Sequence, residues 1–120
     1  MEDDVWMARA LALADKAQQL GEVPVGAVLV QNGVLIAQAY NTPIGSHDAT
    51  AHAEIDAIRQ ACKTQKNYRL PNTTLYVTLE PCTMCVGAII HARVSRVVFG
   101  AREPKSGAVI SQNNLLNHSN

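Results

Sequence analysis

Three residues in the sequence have the types and the spacing of a metal site. Cys82 and Cys85 stand three apart within the stretch 81–85 (PCTMC), and His52 lies thirty residues earlier. If a helix begins at Cys82, both sulfurs lie on one side of its first turn and can reach one metal ion. A zinc ion with three protein ligands keeps its fourth tetrahedral position for water. The pattern therefore predicts a catalytic zinc site.

Glu54 is the candidate proton carrier at this site. It lies two residues beyond His52, and residues at i and i+2 do not share a helix face, so Glu54 need not be a ligand where His52 is one. Zinc lowers the pKa of a bound water toward ~7, and a free carboxylate can take that proton and pass it to a leaving amine. The combined pattern H-x-E…P-C-x-x-C is typical of the zinc deaminases that act on nucleobases.

Other interpretations of these residues remain open at this level. A Cys-x-x-Cys pair where a strand meets a helix is also typical of thioredoxin-like redox proteins. A closed structural zinc site would need a fourth ligand, either His47, in a loop before His52, or His91. His91 lies six residues after Cys85, about 240° further round an ideal helix, and so points away. Cys62, the third cysteine, is interpreted as a small buried apolar residue.

Hydrophobic periodicity predicts the elements that must position these side chains. Around Asn32-Gly33, the strongest short signal for a hairpin, two apolar runs predict paired strands. The predicted elements are a helix at 2–20, strands at 25–31 and 34–40, a loop at 41–50, a helix at 51–62, a strand at 73–79, a helix at 82–91 and a strand at 94–101. The two parts of the predicted metal site, at His52 and at Cys82, thus both lie at helix starts, where the partial positive charge of the helix amino terminus favours anions.

The order of these elements predicts the fold class. Strand, helix and strand at this spacing indicate a parallel crossover, beside the antiparallel hairpin. The hairpin strands are apolar on successive residues, so we expect helices on both faces. Gly87 and Ala88 predict a close approach of the last helix to the sheet. The expected architecture is a three-layer α/β/α fold with a mixed sheet.

Length and composition limit the classes of protein. At 120 residues the chain fits one domain, over 1–120. No apolar run approaches the ~18 to 20 residues of a membrane span, and the acidic start does not fit a secretory signal. Three cysteines, two of them in a Cys-x-x-Cys pair, suit a reducing compartment. We therefore predict a cytoplasmic protein without a membrane partner.

The formal net charge is zero, but the charges are unevenly distributed along the chain. Residues 1–58 hold two basic and eight acidic residues, a balance of −6, and residues 59–120 hold eight basic and two acidic residues, a balance of +6. The second half could present a basic face to nucleic acid, or the charges could simply be spread over a solvated surface.

Five stretches carry a resemblance to a known family. They are 22–28 (EVPVGAV), 52–55 (HAEI), 75–82 (LYVTLEPC), 84–91 (MCVGAIIH) with Arg93 after it, and 97–101 (VVFGA). Over most of residues 5–110 the chain resembles the bacterial tRNA-specific adenosine deaminases of the cytidine deaminase-like superfamily. The zinc motif is shared by the whole superfamily, whereas 84–91 is more particular to this branch.

The resemblance implies hydrolytic conversion of adenosine to inosine at the wobble position of a tRNA anticodon loop by a zinc-activated water, in a homodimer. One zinc ion per subunit would be held by His52, Cys82 and Cys85, with Glu54 shuttling protons. The flipped base would be held by the Asn41 side chain, by the backbone of Ala53 and by an apolar wall that includes Val23 and Pro24.

The carboxyl end departs from the family pattern. Family members usually continue into a further strand and a basic helix that grips RNA, so the single domain here would lack both. Contacts to the RNA backbone would then fall to basic residues of the second half: Arg93, Arg96, Arg102 and Lys105. Two alternatives follow, namely a zinc deaminase of a free base or nucleoside (guanine, cytosine or cytidine) and a catalytically silent RNA-binding subunit.

Overall fold

Residues 2–101 are described by a computed structural model. In this range the helices are α1 (Glu2–Gln19), α2 (Pro43–Ser46), α3 (Ala53–Gln65) and α4 (Thr83–Ala92), and the strands are β1 (Gly26–Gln31), β2 (Val34–Tyr40), β3 (Thr73–Leu79) and β4 (Arg96–Ala101). Each predicted helix and strand is present within a few residues. One further helix, α2, was not predicted and lies in the segment expected to be a loop.

The four strands form one sheet in the order β2-β1-β3-β4. β1 pairs antiparallel with both β2 and β3, whereas β3 and β4 are parallel and are connected through α4. The predicted mixed sheet is therefore confirmed. Because β3 and β4 are parallel, their carboxyl ends lie at the same end of the sheet, where the chain leaves β3 and enters α4.

The hairpin turns at Asn32 and Gly33, with φ angles of 50° and 78°. Positive φ at both positions is the geometry of a two-residue type I′ turn, which Asn-Gly adopts most readily. The expectation that helices cover both strands holds for β1, which is buried up to Gln31. It also holds for β2, where Leu35 packs in the cluster under α1 and Ile36 in the cluster on the other face, although β2 is an edge strand and is less completely buried.

A side chain from α3 covers part of this edge. The backbone N–H of Gln38 donates to Oε1 of Gln60 at 3.2 Å, and Nε2 of Gln60 donates to the carbonyl of Gln38 at 3.0 Å. Gln38 faces Val28 of β1, and its outward N–H and C=O mark this pair as one without mutual hydrogen bonds. The Gln60 carboxamide thus pairs with the strand as a peptide group would.

Helices lie on both faces of the sheet. α1 packs against one face, where its cluster of apolar side chains includes Ala10, Val28 and Tyr76. α3 and α4 pack against the other face, around Leu29, Leu75 and other buried residues. The three-layer architecture is the predicted one, and none of the described helices has the length and apolar character that crossing a membrane requires.

The close approach between helix and sheet occurs at Gly26 and not at Gly87. A Cβ added at Gly26 would lie 2.0 Å from the backbone carbonyl of Ala10 in α1, which no side chain tolerates. A Cβ added at Gly87 would meet nothing within 4 Å. The prediction for Gly87 was wrong because α4 turns this position away from the sheet.

The start of α1 is tied to the sheet by polar contacts. The Asp3 carboxylate accepts hydrogen bonds from both terminal nitrogens of Arg96, at 3.0 and 2.6 Å, and from the Tyr76 hydroxyl at 2.7 Å. The bonds from Arg96 and Tyr76 hold the pKa of Asp3 well below its usual range. Arg96 is thereby engaged in a structural pair.

Candidate zinc and catalytic site

The proposed metal ligands His52 and Cys82 each directly precede a helix. His52 is the N-cap of α3 and Cys82 the N-cap of α4, and both have extended backbone conformations. Their carbonyls accept the first helical hydrogen bonds, from Asp56 at 3.0 Å and Val86 at 2.9 Å. The predicted helix starts, at Ala51 and Cys82, were thus one or two residues early. Cys85 lies in the first turn of α4, so the Cys-x-x-Cys pair spans a helix start as expected.

The geometry of the three ligand atoms fits a tetrahedral zinc ion. Nδ1 of His52 lies 3.7 Å from Sγ of Cys82 and 3.5 Å from Sγ of Cys85, and the three atoms lie within 4.8 Å of one another. Zn–S and Zn–N bonds of about 2.3 and 2.0 Å at a tetrahedral angle place nitrogen and sulfur about 3.5 Å apart. The side chains are therefore already spaced for a shared zinc ion.

The two thiols differ in acidity. A hydrogen bond from Cys85 lowers the pKa of Cys82 to about 5. The same bond and burial raise the pKa of Cys85, which is inaccessible to solvent. The cluster thus favours a thiolate at Cys82, the form that binds metal ions.

The alternative sets of ligands are not formed in the described residues. Within 2–101, the group of His, Cys, Asp and Glu side chains close enough to share a metal ion consists of His52, Cys82 and Cys85. His47 and His91 are outside this group, so neither provides the fourth ligand of a closed site. Cys62 is also outside it and packs against the core as predicted, although it is only partly buried. Three protein ligands leave the fourth zinc position for water.

Glu54 lies beside these ligands without joining them. It is the second residue of α3, is only 4% exposed, and lines the same pocket as His52 and Cys82. Burial raises the pKa of its carboxyl group. A buried carboxyl group with a raised pKa exchanges protons more readily near neutral pH.

The site opens into a pocket of about 220 Å³. Its walls consist of Val23, Val25, Asn41, Pro43, His52, Glu54, Leu79, Glu80 and Cys82. This volume is below the ~300 to 1,000 Å³ typical of sites for drug-sized ligands, and it suits a single ring system. Val23 lines the pocket and Pro24 does not, and a contact of Val23 with a base stays a prediction.

Asn41 is fixed by the start of α3. Its Oδ1 accepts a hydrogen bond of 2.7 Å from the backbone N–H of Ala53, and the side chain is buried at the pocket wall. This bond occupies the oxygen, so the amide nitrogen is the group of Asn41 that can donate to a ligand. The Ala53 N–H is taken by Asn41, so Ala53 supports the site through that side chain. Direct contacts of either residue with a base stay predictions.

Of the basic residues predicted to contact RNA, the two in the described part of the chain, Arg93 and Arg96, lie away from the pocket. Arg93 follows the carboxyl end of α4, whose ten residues rise about 15 Å from the zinc ligands. Arg96 pairs with Thr74, five positions before the pocket residue Leu79, about 16 Å along β3. Arg102 and Lys105 lie outside the described residues. RNA contacts by these four residues stay a prediction.

Several pocket residues were missed at the sequence level. Val25, Leu79 and Glu80 were interpreted only as parts of strands or their ends, and Pro43 as part of a loop. A proline directly after a threonine is a recognised start of a helix, so Thr42-Pro43 could have indicated α2. The sequence offered no comparable signal for Glu22, whose buried carboxylate contacts α2.

The fold and the ligand set define a class of zinc-binding proteins. Residues 1–101 match the family described as the cytidine and deoxycytidylate deaminase zinc-binding region, and the chain belongs to that family. Its predicted resemblance to one branch is also confirmed. The chain is 57% identical over 111 residues to a tRNA-specific adenosine deaminase of Haemophilus influenzae, covering 92% of this chain and 64% of that protein.

Solved structures show the same similarity. One, from a study of A-to-I editing by tRNA:A34 deaminases at the wobble position of transfer RNA, is 48% identical, with a TM-score of 0.93 and coverage of 95% of this chain and 83% of that one. A guanine deaminase from Bacillus subtilis is 37% identical, with a TM-score of 0.82 and coverage of 96% and 74%. Similarity is thus higher to the former.

Proposed function

We propose that this chain deaminates adenosine to inosine hydrolytically at the wobble position of tRNA. The observation that carries the chemistry is the position of Glu54, buried in the pocket beside three zinc ligands but outside their cluster. The RNA substrate is supported by the higher identity to tRNA deaminases than to guanine deaminase. The chain spans 64% of the Haemophilus relative's length, so substrate and partners are proposed by similarity.

The zinc ligands and Glu54 have distinct roles in this reaction. A zinc ion held by His52, Cys82 and Cys85 would supply a Lewis acid that lowers the pKa of water toward ~7. Glu54 takes one proton from the attacking water and gives it to a ring nitrogen, and then moves the remaining hydroxyl proton to the departing amino group. A C–O bond forms at C6 of adenine and the C6–N bond breaks, so one water is consumed and one ammonia is released.

Asn41 and the apolar wall hold the base during these steps. The amide nitrogen of Asn41 donates a hydrogen bond to an acceptor of the base, because its oxygen is occupied by Ala53. Val23 contacts the ring face from the pocket wall. An adenosine within a duplex or stacked loop must leave its stack to enter so narrow a pocket, as base-modifying enzymes require.

A free purine base is the second candidate substrate. The similarity to guanine deaminase favours it, and so does a pocket that admits one ring system. A silent RNA-binding subunit is disfavoured, because the proton-carrying carboxylate and all three ligands are present and correctly placed.

We also propose a homodimer of single-domain chains in the cytoplasm. The thiol ligands must stay reduced to bind zinc, which suits that compartment. Ile44 directly follows the pocket residue Pro43 and is 67% exposed. Met84 lies two residues after the pocket residue Cys82 and is 36% exposed. Exposed apolar side chains of this kind suit a subunit contact. Sedimentation of the zinc-loaded chain distinguishes a dimer from a monomer.

The substrate experiment compares an anticodon stem-loop bearing adenosine at the wobble position with free adenosine, guanine and cytidine. We expect the zinc-loaded chain to form inosine in the stem-loop only. Product from a free base or nucleoside alone would transfer the protein to the small-molecule deaminases. Glu54→Gln should retain zinc and lose about 100-fold to 10,000-fold in turnover. Asp56→Asn, on the same helix but outside the pocket, is the control.

A further inference from the structure

We propose that Glu22 is a positioning residue, which holds α2 against the pocket and so sets how tightly the substrate base is bound. The inference rests on the proposed function, because it concerns the substrate of the same site. Glu22 itself is absent from the pocket walls. It acts through the backbone that carries Pro43.

Each carboxylate oxygen of the Glu22 side chain accepts one backbone hydrogen bond from α2. The side chain is 7% exposed, and its Oε1 accepts a hydrogen bond from the backbone N–H of Ile44 at 3.0 Å. Its Oε2 accepts one from the backbone N–H of Gly45 at 2.8 Å. One carboxylate therefore binds two consecutive amides, an arrangement that needs an acceptor at each oxygen.

These bonds join two sides of the pocket that are far apart in the chain. Val23 follows Glu22 directly and Pro43 precedes Ile44, and both line the pocket. The backbone of Glu22 is itself fixed, because its N–H donates to the carbonyl of Ala17 in α1 at 3.0 Å. α1 packs on the sheet, so the hydrogen bonds of Glu22 hold the α2 segment in place relative to α1 and the sheet.

Apart from the Glu22 carboxylate, α2 is held at its N-cap Thr42, whose backbone N–H donates to the carbonyl of Ala51 at 3.0 Å and whose hydroxyl donates to Asp56 at 3.4 Å. It is a single turn of four residues, has no buried residue, and lacks a hydrogen bond from a capping side chain. Loss of the two bonds from Ile44 and Gly45 would therefore let Pro43 move at the pocket mouth. The zinc ligands, held by α3 and α4, would keep their geometry.

Glu22→Gln tests this role with nearly the same size and shape. Glutamine offers one acceptor oxygen, and its NH₂ group faces an N–H donor, so one of the two bonds is lost. We expect KM for the stem-loop to rise about tenfold, with kcat reduced less and the zinc content unchanged. Glu2→Gln, the same change at an exposed position of α1, is the matched control.

A second readout does not depend on the proposed activity. Amide hydrogen exchange followed by NMR should show the Ile44 and Gly45 amides protected in the wild-type chain and exchanging at least about tenfold faster in Glu22→Gln. An inactive wild-type chain with this change in exchange would overturn the proposed function and leave the contact role intact. Unchanged exchange at both amides would overturn the role of Glu22.

Gly45→Ala provides an independent test if Glu22→Gln folds poorly. A Cβ at Gly45 would lie 3.3 Å from Oε2 of Glu22, so the carboxylate would have to shift by a few tenths of an ångström while its charge is retained. We expect a rise in KM and faster exchange at Ile44, both smaller than in Glu22→Gln. A lower kcat together with a lower melting temperature, with KM unchanged in both variants, would show that Glu22 only supports the fold.

Discussion

The side-chain oxygen of Asn41 lies 2.7 Å from the backbone nitrogen of Ala53, and this hydrogen bond joins the end of β2 to the start of α3. Both groups are buried, and His52 and Glu54 flank Ala53 in sequence. The bond therefore fixes the helix start that carries one zinc ligand and the proton carrier. The amide nitrogen of Asn41 takes no part in this bond, and we propose that it donates to the substrate base.

Asn41→Ala should weaken both the fold and the reaction. It leaves the buried N–H of Ala53 without an acceptor, which costs about 1 to 3 kcal/mol in the free energy of unfolding. Asn41→Asp keeps an acceptor and removes the amide donor, so we expect a smaller loss of stability and a similar loss of turnover. Urea unfolding and single-turnover assays separate the two effects. Equal activity in Asn41→Asp and wild type would contradict a donor role for the amide.

Replacing a zinc ligand should remove the metal, and replacing the third cysteine should not. We expect one zinc ion per wild-type chain, little in Cys85→Ser, and full occupancy in Cys62→Ser, because Cys62 is outside the ligand group. Chelation should lower the melting temperature of wild type, since bound metal stabilises only the folded state. Elemental analysis and thermal melts provide the measurements. A zinc-free wild type with a disulfide between Cys82 and Cys85 would favour a redox protein instead.

The two glycines in contrasting environments predict opposite effects of alanine. Gly26→Ala places a Cβ against the backbone of Ala10 and should cost about 1 to 3 kcal/mol or more, or prevent folding. Gly87→Ala, in a helix and beside open space, should be neutral or stabilise by about 0.5 to 1 kcal/mol. Denaturant midpoints measure both. Destabilisation by Gly87→Ala would indicate that something covers this face of α4.

The pair between Asp3 and Arg96 predicts a pH-dependent contribution to stability. The hydrogen bonds from Arg96 and Tyr76 lower the pKa of Asp3 in the folded state from an ordinary value of 3.8. The contribution is thus complete above that value and is lost as the pH falls through the lower, folded-state pKa. Asp3→Asn should lower the melting temperature slightly at pH 7, since exposed pairs contribute little.

The difference between Asp3→Asn and wild type should shrink below about pH 4, because the Asp3 carboxylate of the unfolded chain then binds a proton while that of the folded chain is still ionised. Asp4→Asn removes the same charge from a neighbouring exposed position and serves as the control. Melts at a series of pH values give both curves. A gap that grows toward low pH would contradict the sign of the pKa change.

Local sequence patterns were sufficient for the ligands and for most of the elements. His52, Cys82 and Cys85 could be assigned because metal ligation demands particular residue types, and Asn32-Gly33 because positive φ at two positions demands particular residues. Glu54 followed from its offset to His52. Such constraints are chemical or steric and act over a few residues.

Contacts between distant segments were not predictable in this way. Glu22 binds a segment more than twenty residues later, and nothing in its own neighbourhood indicates this. Gly87 was assigned to the sheet contact on residue type alone, whereas the helix rotation that decides the matter depends on tertiary packing. The limited burial of β2 likewise depends on its place at the edge of the sheet, which periodicity does not show.

The carboxamide of Gln60 gives the sheet a direction in which it can grow. Because it occupies the outward N–H and C=O of Gln38, an incoming strand would have to displace it before pairing along β2. The opposite boundary of the described four-stranded sheet is β4. An added strand would pair along β4 without displacing the Gln60 carboxamide, and the hairpin at the other boundary would keep its contacts.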